Sequence, residues 1–428
     1  MTLSATRLTL IQMAENEGNA GNRMEKLNLN LLKNAIAGKY AAIRRVTRLE
    51  PLGDKIFPPT YEGGEYADEE RQVRAEDGTV RKVATVLLDS VQSQANRLEL
   101  ALLHAYDNKR LKMPMLQVDF AGDGQESILA EVGRITALEA PHRMCDAIFR
   151  DSVYKNQPFR EAGPGAKLNA AKAANATVVF ELCPTALLFG FWDSTGPRGG
   201  LGAKVQRALV SEIVGYQTVQ GKRTASRIDP LQIENNVDIY AKEGGGWTFD
   251  EAEAEKKNGQ PIKLKPSEIN HGNITPSFKQ KDKISLNHGG VTLAYAEQQT
   301  VLSLAALRRL RFPLASGTNA EIDHAARTVL AALGLAAICF LDEDGYDLRS
   351  RCLLDGKPGV MQFVGRGETC DFSLDAAGAA ELLAQAAAEA VDKKLPWSEE
   401  PVALQPSAKL SRLVVESRKR SMAAGAGE

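Results

Sequence analysis

The chain has 428 residues, with 53 Lys and Arg against 54 Asp and Glu and a formal net charge of −1. A composition of 43% hydrophobic and 25% charged residues gives enough apolar material for a large core and reads as that of an ordinary soluble globular protein. No apolar run reaches the length of a bilayer span, the first residues lack a signal-peptide core and the five cysteines show no Cys-x-x-Cys pair, which reads as a cytoplasmic protein with reduced thiols and no structural zinc.

Residues 1–40 read as a helical extension, and residues 41–397 as one folded domain with insertions. Residues 41–49 alternate as a strand, with Arg44, Val46 and Arg48 on one face and Ile43, Arg45, Thr47 and Leu49 on the other. The polar stretch 54–82 reads as a long excursion, and within it residues 62–77 hold seven acids against Arg71 and Arg74. Residues 84–106 have helical spacing. Leu87, Val91, Ala95, Leu98 and Leu102 make the buried stripe, while Asp89, Gln92, Ser93 and Asn96 line the other side. A short strand is predicted over 115–120, and a helix over 142–152 with Arg143 and Arg150 outward. Residues 177–192 read as two strands joined near Pro184. A helix after Gly202 then places Lys204, Arg207 and Ser211 on one face and Leu201, Val205, Leu209 and Ile213 on the other.

A strand is predicted over 215–227. Residues 242–288, with Gly244-Gly245-Gly246 and few apolar side chains, read as an inserted lobe or hairpin without a core of its own. Strand character returns over 291–296 and helix over 301–310, followed by a helix over 320–333 and a strand over 336–341 pairing with 346–354. The alanine-rich stretch 376–391 is a last helix, and residues 398–428 read as a disordered tail. Hairpins mixed with crossovers fit an α+β fold: a ferredoxin-like or RRM-like antiparallel sheet with large insertions, rather than a doubly wound sheet.

The stretch from Trp192 to Arg207 carries most of the chemistry. A glycine-rich loop (Gly196, Gly199, Gly200, Gly202) lets backbone approach a ligand closely, and a helix beginning there would add free N–H groups suited to phosphate. The nucleotide-hydrolase pattern fails, because Ala203 separates Gly202 from Lys204 and Val205 stands where a hydroxyl should hold magnesium. The dinucleotide fingerprint is weak for want of a third glycine at Val205. A tight turn with a solvated basic face is the plain alternative. Against it, residues 196–227 contain Arg198, Lys204, Arg207, Lys222, Arg223 and Arg227 with Glu212 as their only acid. This local basic patch in a near-neutral chain is the footprint of polymeric phosphate.

Six blocks resemble a known family: RVTRLEPLGDKIFPPTY (45–61), LLDSVQSQANRLE (87–99), FGFWDSTGPRGGLGAKVQRALVSEIVGY (189–216), SRIDP (226–230), LKPSEINHGN (264–273) and LSLAALRRLRF (302–312). The chain resembles the backbone subunit of type I-G (formerly I-U) CRISPR surveillance complexes (Cascade), the Cas-seven family of the RAMP superfamily. The resemblance implies a palm with fingers and a thumb hairpin, and a subunit that polymerises along one CRISPR RNA guide. It also implies pairing of that guide with target DNA, contacts to other Cascade subunits and recruitment of a helicase-nuclease. No membrane partner, cofactor, metal or catalytic residue is implied.

On this reading the RNA-binding candidates are Arg44, Arg48, Lys55, Gln92, Ser93, Asn96, Arg97, Arg143, Trp192, Arg198, Gly199, Gly200, Lys204, Arg207, Arg223 and Arg227. Uncharged side chains such as those on the 92–96 stripe position nucleic-acid backbone without reading its sequence. Trp192 is either a stacking ring or a core residue beside Phe189 and Phe191. The Arg308, Arg309, Arg311 cluster serves RNA, a neighbouring subunit or helix capping. The thumb falls at 54–82 or 242–288, and the balanced charge and Trp247 of the second favour it. Two other functions compete. One is a metal-dependent target-RNA endoribonuclease using a loop aspartate (Asp146, Asp151 or Asp193), and the other is a scaffold that binds no RNA.

Overall fold

The structure, a computed structural model, describes residues 24–75, 77–121, 127–194, 202–222, 224–278 and 289–425. Arg198, Gly199, Gly200 and Arg223 lie outside the described residues, as does most of the N-terminal extension.

Its principal elements are β1 (Ala42–Pro51), β2 (Asp68–Arg74), β3 (Val80–Asp89), α1 (Val91–Asp107), β4 (Leu116–Asp119), β5 (Phe191–Trp192), β6 (Lys204–Val205), β7 (Leu209–Tyr216) and β8 (Tyr295–Ser303). They continue with α2 (Ala320–Asp344), β9 (Met361–Gly365), β10 (Glu368–Ser373), α3 (Ala376–Asp392), β11 (Val402–Pro406) and α4 (Ala408–Gly425). The main sheet runs β10-β9-β1-β8-β7-β3-β2, with a short strand at Glu25–Lys26 on its outer margin. In chain order β1, α1, β7, β8, α2 and β9 form a β-α-β-β-α-β unit whose four strands lie in the spatial order fourth, first, third, second. Every pairing within it is antiparallel. This is the ferredoxin-like, RRM-like core, elaborated by insertions.

The alternation in β1 decides which way the sheet faces. Ile43, Arg45, Thr47 and Leu49 are buried, whereas Arg44, Val46, Arg48 and Glu50 are exposed. Helices cover the inner face. Arg45 reaches Asp342 of α2, and Ser211 of β7 donates to Gln94 of α1 at 2.9 Å. Gln94 also accepts from Gln298 at 2.8 Å, so these two amides and the Ser211 hydroxyl are joined in one buried network. The core helix α2 starts at Asn319, whose side chain accepts from Glu321 N, and ends at Gly345 at φ +78°. Contrary to the sequence expectation, this helix is long and apolar enough to cross a membrane, but its residues from Val329 to Leu341 are all buried, as in a core helix. A second sheet contains β4 and β11 in parallel, with β11 also pairing Ser152–Tyr154.

Several sequence expectations are corrected. The helix expected after Gly202 is instead the short strand β6 followed by β7, and β7 runs between β3 and β8. The strands expected over 177–192 are helices, Thr177–Leu182 and Thr185–Phe189, ending at Gly190. The helix expected over 84–106 is β3 up to Asp89, then α1 capped by Ser90. Of the helix expected over 142–152, only the turn Arg143–Cys145 and Ala147–Arg150 are helical. The helix expected over 301–310 is the end of β8 and the single turn Leu304–Leu307. Residues 336–341 belong to α2, not to a strand.

The excursion at 54–82 is largely the β2–β3 hairpin, which widens the main sheet. The strand expected over 215–227 breaks after Tyr216 into Val219–Gln220 and Thr224–Arg227. From there an inserted lobe of short hairpins projects: Thr224–Arg227 pairs Ile274–Phe278, and Ile239–Ala241 pairs both Trp247–Thr248 and Lys263–Leu264. The tail expected to be disordered holds β11 and α4. Part of its apolar content packs inward: Leu404 is buried in the second sheet, and Leu410, Val414 and Val415 face inward about one helical turn apart, while Leu413 stays exposed.

Candidate nucleic-acid interface

The basic stretch gathers at one end of the main sheet. β5 and β6 form a two-rung antiparallel ladder in which Val205 faces Phe191 and Lys204 faces Trp192. Period-two geometry sends the first pair inward and the second outward. Phe191 and Val205 are each 8% exposed, whereas Trp192 is 51% exposed with the Lys204 ammonium 5.6 Å from its ring centroid. The core reading of Trp192 is thereby replaced: Phe189 and Phe191 are the buried rings, and Trp192 offers its face to solvent. The ladder is moored to the sheet by Ala208, whose N–H donates to Leu188 O and whose carbonyl accepts from Ser303 N, both at 2.7 Å. Gly190, at φ +80°, lets the chain pass beneath: a Cβ there would meet Val205 O at 3.0 Å and Arg207 N at 3.1 Å.

Arg207 is exposed just past β6. Arg309, in the turn after Leu304–Leu307, is exposed and makes no ion pair among the described residues. Its neighbours are engaged: Arg308 donates to the carbonyls of Ala35, Ile36 and Tyr40, and Arg311 pairs with Asp323 at 3.4 Å. A groove of about 370 Å³ lies here, lined by apolar residues such as Leu187, Val205 and Leu310, together with Lys204, Gln206 and Arg309. Arg309 is the functional candidate the sequence left unranked among three arginines. Only the tertiary partners of Arg308 and Arg311 single it out.

Strand register links this end to the open face. Val210 of β7 stands opposite Val301 of β8, which stands opposite Arg44 of β1. Arg44 donates to Gln362 Oε1 at 2.9 Å, leaving its charge unopposed by that partner. Arg48, four residues and about 13 Å further along β1, lies 4.1 Å over the ring centroid of Tyr295. Tyr295 in turn stacks on Tyr216, 5.2 Å between centroids and 11° between planes. α1 begins at the same end as the β5–β6 ladder, since Asp89 stands opposite Ile213 and the chain turns there. Gln92 and Asn96 are exposed and Ser93 half-buried on its first turns. At the sheet's far end, Lys55 donates to Lys222 O at 3.3 Å.

The remaining candidates are not part of this surface. Arg143, expected outward, is 8% exposed. It holds both oxygens of Glu99, at 2.8 and 2.6 Å, and donates to Gly190 O at 3.2 Å. Glu99 sits on the buried side of α1, where burial pushes its carboxyl up and Arg143 opposes the rise. Arg143 thus positions the hairpin from beneath. Arg97 donates to Asp89 at 3.0 Å and to the carbonyls of Asp347 and Leu348, tying α1 to the next hairpin. Arg227 donates to the carbonyls of Gly272 and His271, bracing the lobe at its root.

The three aspartates weighed for catalysis each hold structure together. Asp146 accepts from Ile148 N at 3.0 Å, Asp151 pairs with Arg150 at 2.8 Å, and buried Asp193 takes a two-pronged contact from Arg160 at 2.6 and 3.3 Å. Among the described residues no group of three His, Cys, Asp or Glu side chains is arranged to hold a metal.

Residues 43–220 match the family model of the CRISPR-associated protein GSU0053. The match likens this segment, less than half of the chain, to a CRISPR-associated protein family. It covers β1 to β7, and with them the β5–β6 ladder and the arginines of β1. No curated protein matches the chain.

Proposed function

We propose, from the CRISPR-associated family that residues 43–220 match, that this chain is a non-catalytic backbone subunit binding the guide RNA of a surveillance complex of type I-G. The observation that carries the reading is the outward Trp192–Lys204 pair, flanked in sequence and in the groove by Arg207 and Arg309, beside a main sheet whose exposed face carries Arg44 and Arg48. An exposed indole beside cations suits a single strand: rings stack on any base, and cations follow the phosphates. Sequence reading then passes to base pairing between guide and target DNA. The inserted lobe between β7 and β8 is the thumb on this reading, and copies of the chain line up along one RNA in the cytoplasm. Other subunits and a helicase-nuclease complete the machine. The Arg160–Asp193 and Asp146 contacts support a binding role over cleavage, because each carboxylate is already committed.

The test is the RNA content of the purified protein. Lys204→Glu combined with Arg207→Glu should strip co-purifying RNA, lowering the 260/280 nm absorbance ratio, while the circular dichroism spectrum stays unchanged. RNA retained at the wild-type level by a folded double variant overturns the proposal.

A further inference from the structure

We propose that copies of this chain join head to tail, with the Tyr61 turn of one copy seated in a groove beside α4 of the next. The inference rests on the backbone reading above, in which copies line up, and it assigns the surfaces that meet. The groove, about 620 Å³, lies between α4 and the hairpin Ser152–Tyr154/Gln157–Pro158. Val153, Pro158, Leu410 and Leu413 give it apolar walls, and Leu413 is 67% exposed. Arg150 and Asp151, which also line it, pair with each other, which leaves Lys409 and Arg412 against Glu416. Over residues 408–422 the helix carries five cations and one acid. It is held in place by buried Val415 and by Arg418, which donates to Ile128 O at 3.0 Å and pairs with Glu131 at 3.1 Å.

A matching knob stands elsewhere on the chain. Residues 61–70 contain five acids and no cation; Glu69 and Glu70 pair with Arg71 and Lys82 further along, while Glu62 follows Tyr61 directly. At their start Tyr61 is 47% exposed on a tight turn, closed by Tyr61 N to Glu65 O and Gly64 N to Tyr61 O, each 2.8 Å. Gly63 and Gly64, at φ +74° and +77°, make that turn possible, and an antiparallel bridge between Thr60 and Tyr66 closes its base. A preformed turn loses little freedom on docking, and tyrosine is a favoured anchor in the buried centre of an interface. An aromatic ring amid acids complements an apolar slot among cations. The knob leads into β2 on the margin of the main sheet, whereas the groove belongs to the second sheet. Two different surfaces on one chain give a heterologous contact, which repeats from copy to copy as an open array.

The test uses the full chain loaded on a long single-stranded RNA, with copies per RNA measured by light scattering and RNA affinity measured separately on a short oligonucleotide. Tyr61→Ala, Glu62→Lys and Arg412→Glu should each weaken copy-to-copy association about tenfold or more with the short-RNA affinity unchanged. Mixing Glu62→Lys chains with Arg412→Glu chains should restore assembly, since each mutated surface then meets an opposite charge, and only folded chains can be rescued. Unchanged assembly in all three variants, or no rescue on mixing, overturns the interface. Loss of short-RNA affinity in Arg412→Glu overturns it in favour of nucleic acid on α4. Wild-type protein that binds no RNA at all would instead sink the backbone reading.

Discussion

Replacing Lys204 and Arg309 together by alanine should flatten the salt dependence of RNA binding by a predictable amount. Five exposed cations without a carboxylate partner among the described residues lie along the proposed path: Arg44, Arg48, Lys204, Arg207 and Arg309. Each phosphate neutralised on a single strand contributes about −0.7 to the slope of log affinity against log salt, so five contacts give about −3.5. Removing two leaves about −2.1. Between about 50 and 200 mM salt the wild type should therefore weaken about 130-fold and the double variant only about 20-fold. The fold should tolerate the change, since substitutions at exposed side chains without structural partners shift stability by about 0.5 kcal/mol or less. Fluorescence anisotropy of a labelled single-stranded RNA, titrated at several salt concentrations, reads the slopes directly. Equal slopes for wild type and double variant would refute the placement of these two residues on the phosphate path. A loss of affinity with no change of slope would mean that they act through shape rather than charge.

Three other outcomes are expected. Trp192→Ala should cost about 1–3 kcal/mol of single-strand affinity, the value of one stacked base, with the thermal melting curve unmoved; unchanged anisotropy titrations would remove Trp192 from the site. Arg143→Ala should destabilise the fold by about 3–5 kcal/mol in chemical denaturation, because it strands the buried Glu99 carboxylate. Arg143→Met with Glu99→Leu should recover much of that loss, and a stable single variant would show that the pair is dispensable. Of the five thiols, a thiol reagent at pH 8 should titrate only exposed Cys370 in the native protein and all five after denaturation. Burial pushes Cys145 and Cys339 up to about 12, so both stay as unreactive neutral thiols at that pH. Fast modification of more than one native thiol would contradict the packing described.

The fold class was legible because hairpins and crossovers follow each other in an order that few sheets accommodate, and the two faces of β1 were readable residue by residue. The helix wrongly expected after Gly202 has an instructive cause. Val205, Leu209 and Ile213 recur every four residues, a spacing that satisfies one face of a helix and one face of a strand equally well. What settles the matter is Ser211 between them, buried against Gln94 and Thr300, and those partners come from distant parts of the chain. The short apolar run inside α2 misleads in the opposite way, since a helix buried all round carries no alternation to betray it. Trp192, Lys204 and Arg207 do meet at one end of the sheet. Arg143 was misread because an arginine next to a turn looks solvent-facing until its partner, Glu99 on α1, is located. The tail was misread because two short apolar stripes among many charges resemble an unstructured segment until Leu116 and Val118 supply the strand beside which the tail lies.

The β2–β3 hairpin has a practical consequence for anyone trimming this protein to a minimal unit. It fills the hydrogen-bonding row along one side of β7, a strand whose side chains are mostly buried, and ends the sheet in the charged run DEERQVR. Cut away, it would leave a long apolar ribbon with open amides and carbonyls, the kind of margin on which further strands add without limit. A shortened version that keeps every RNA-facing residue should therefore precipitate or form fibrils rather than stay dispersed, and grafting back a charged two-stranded cover should be enough to keep it in solution.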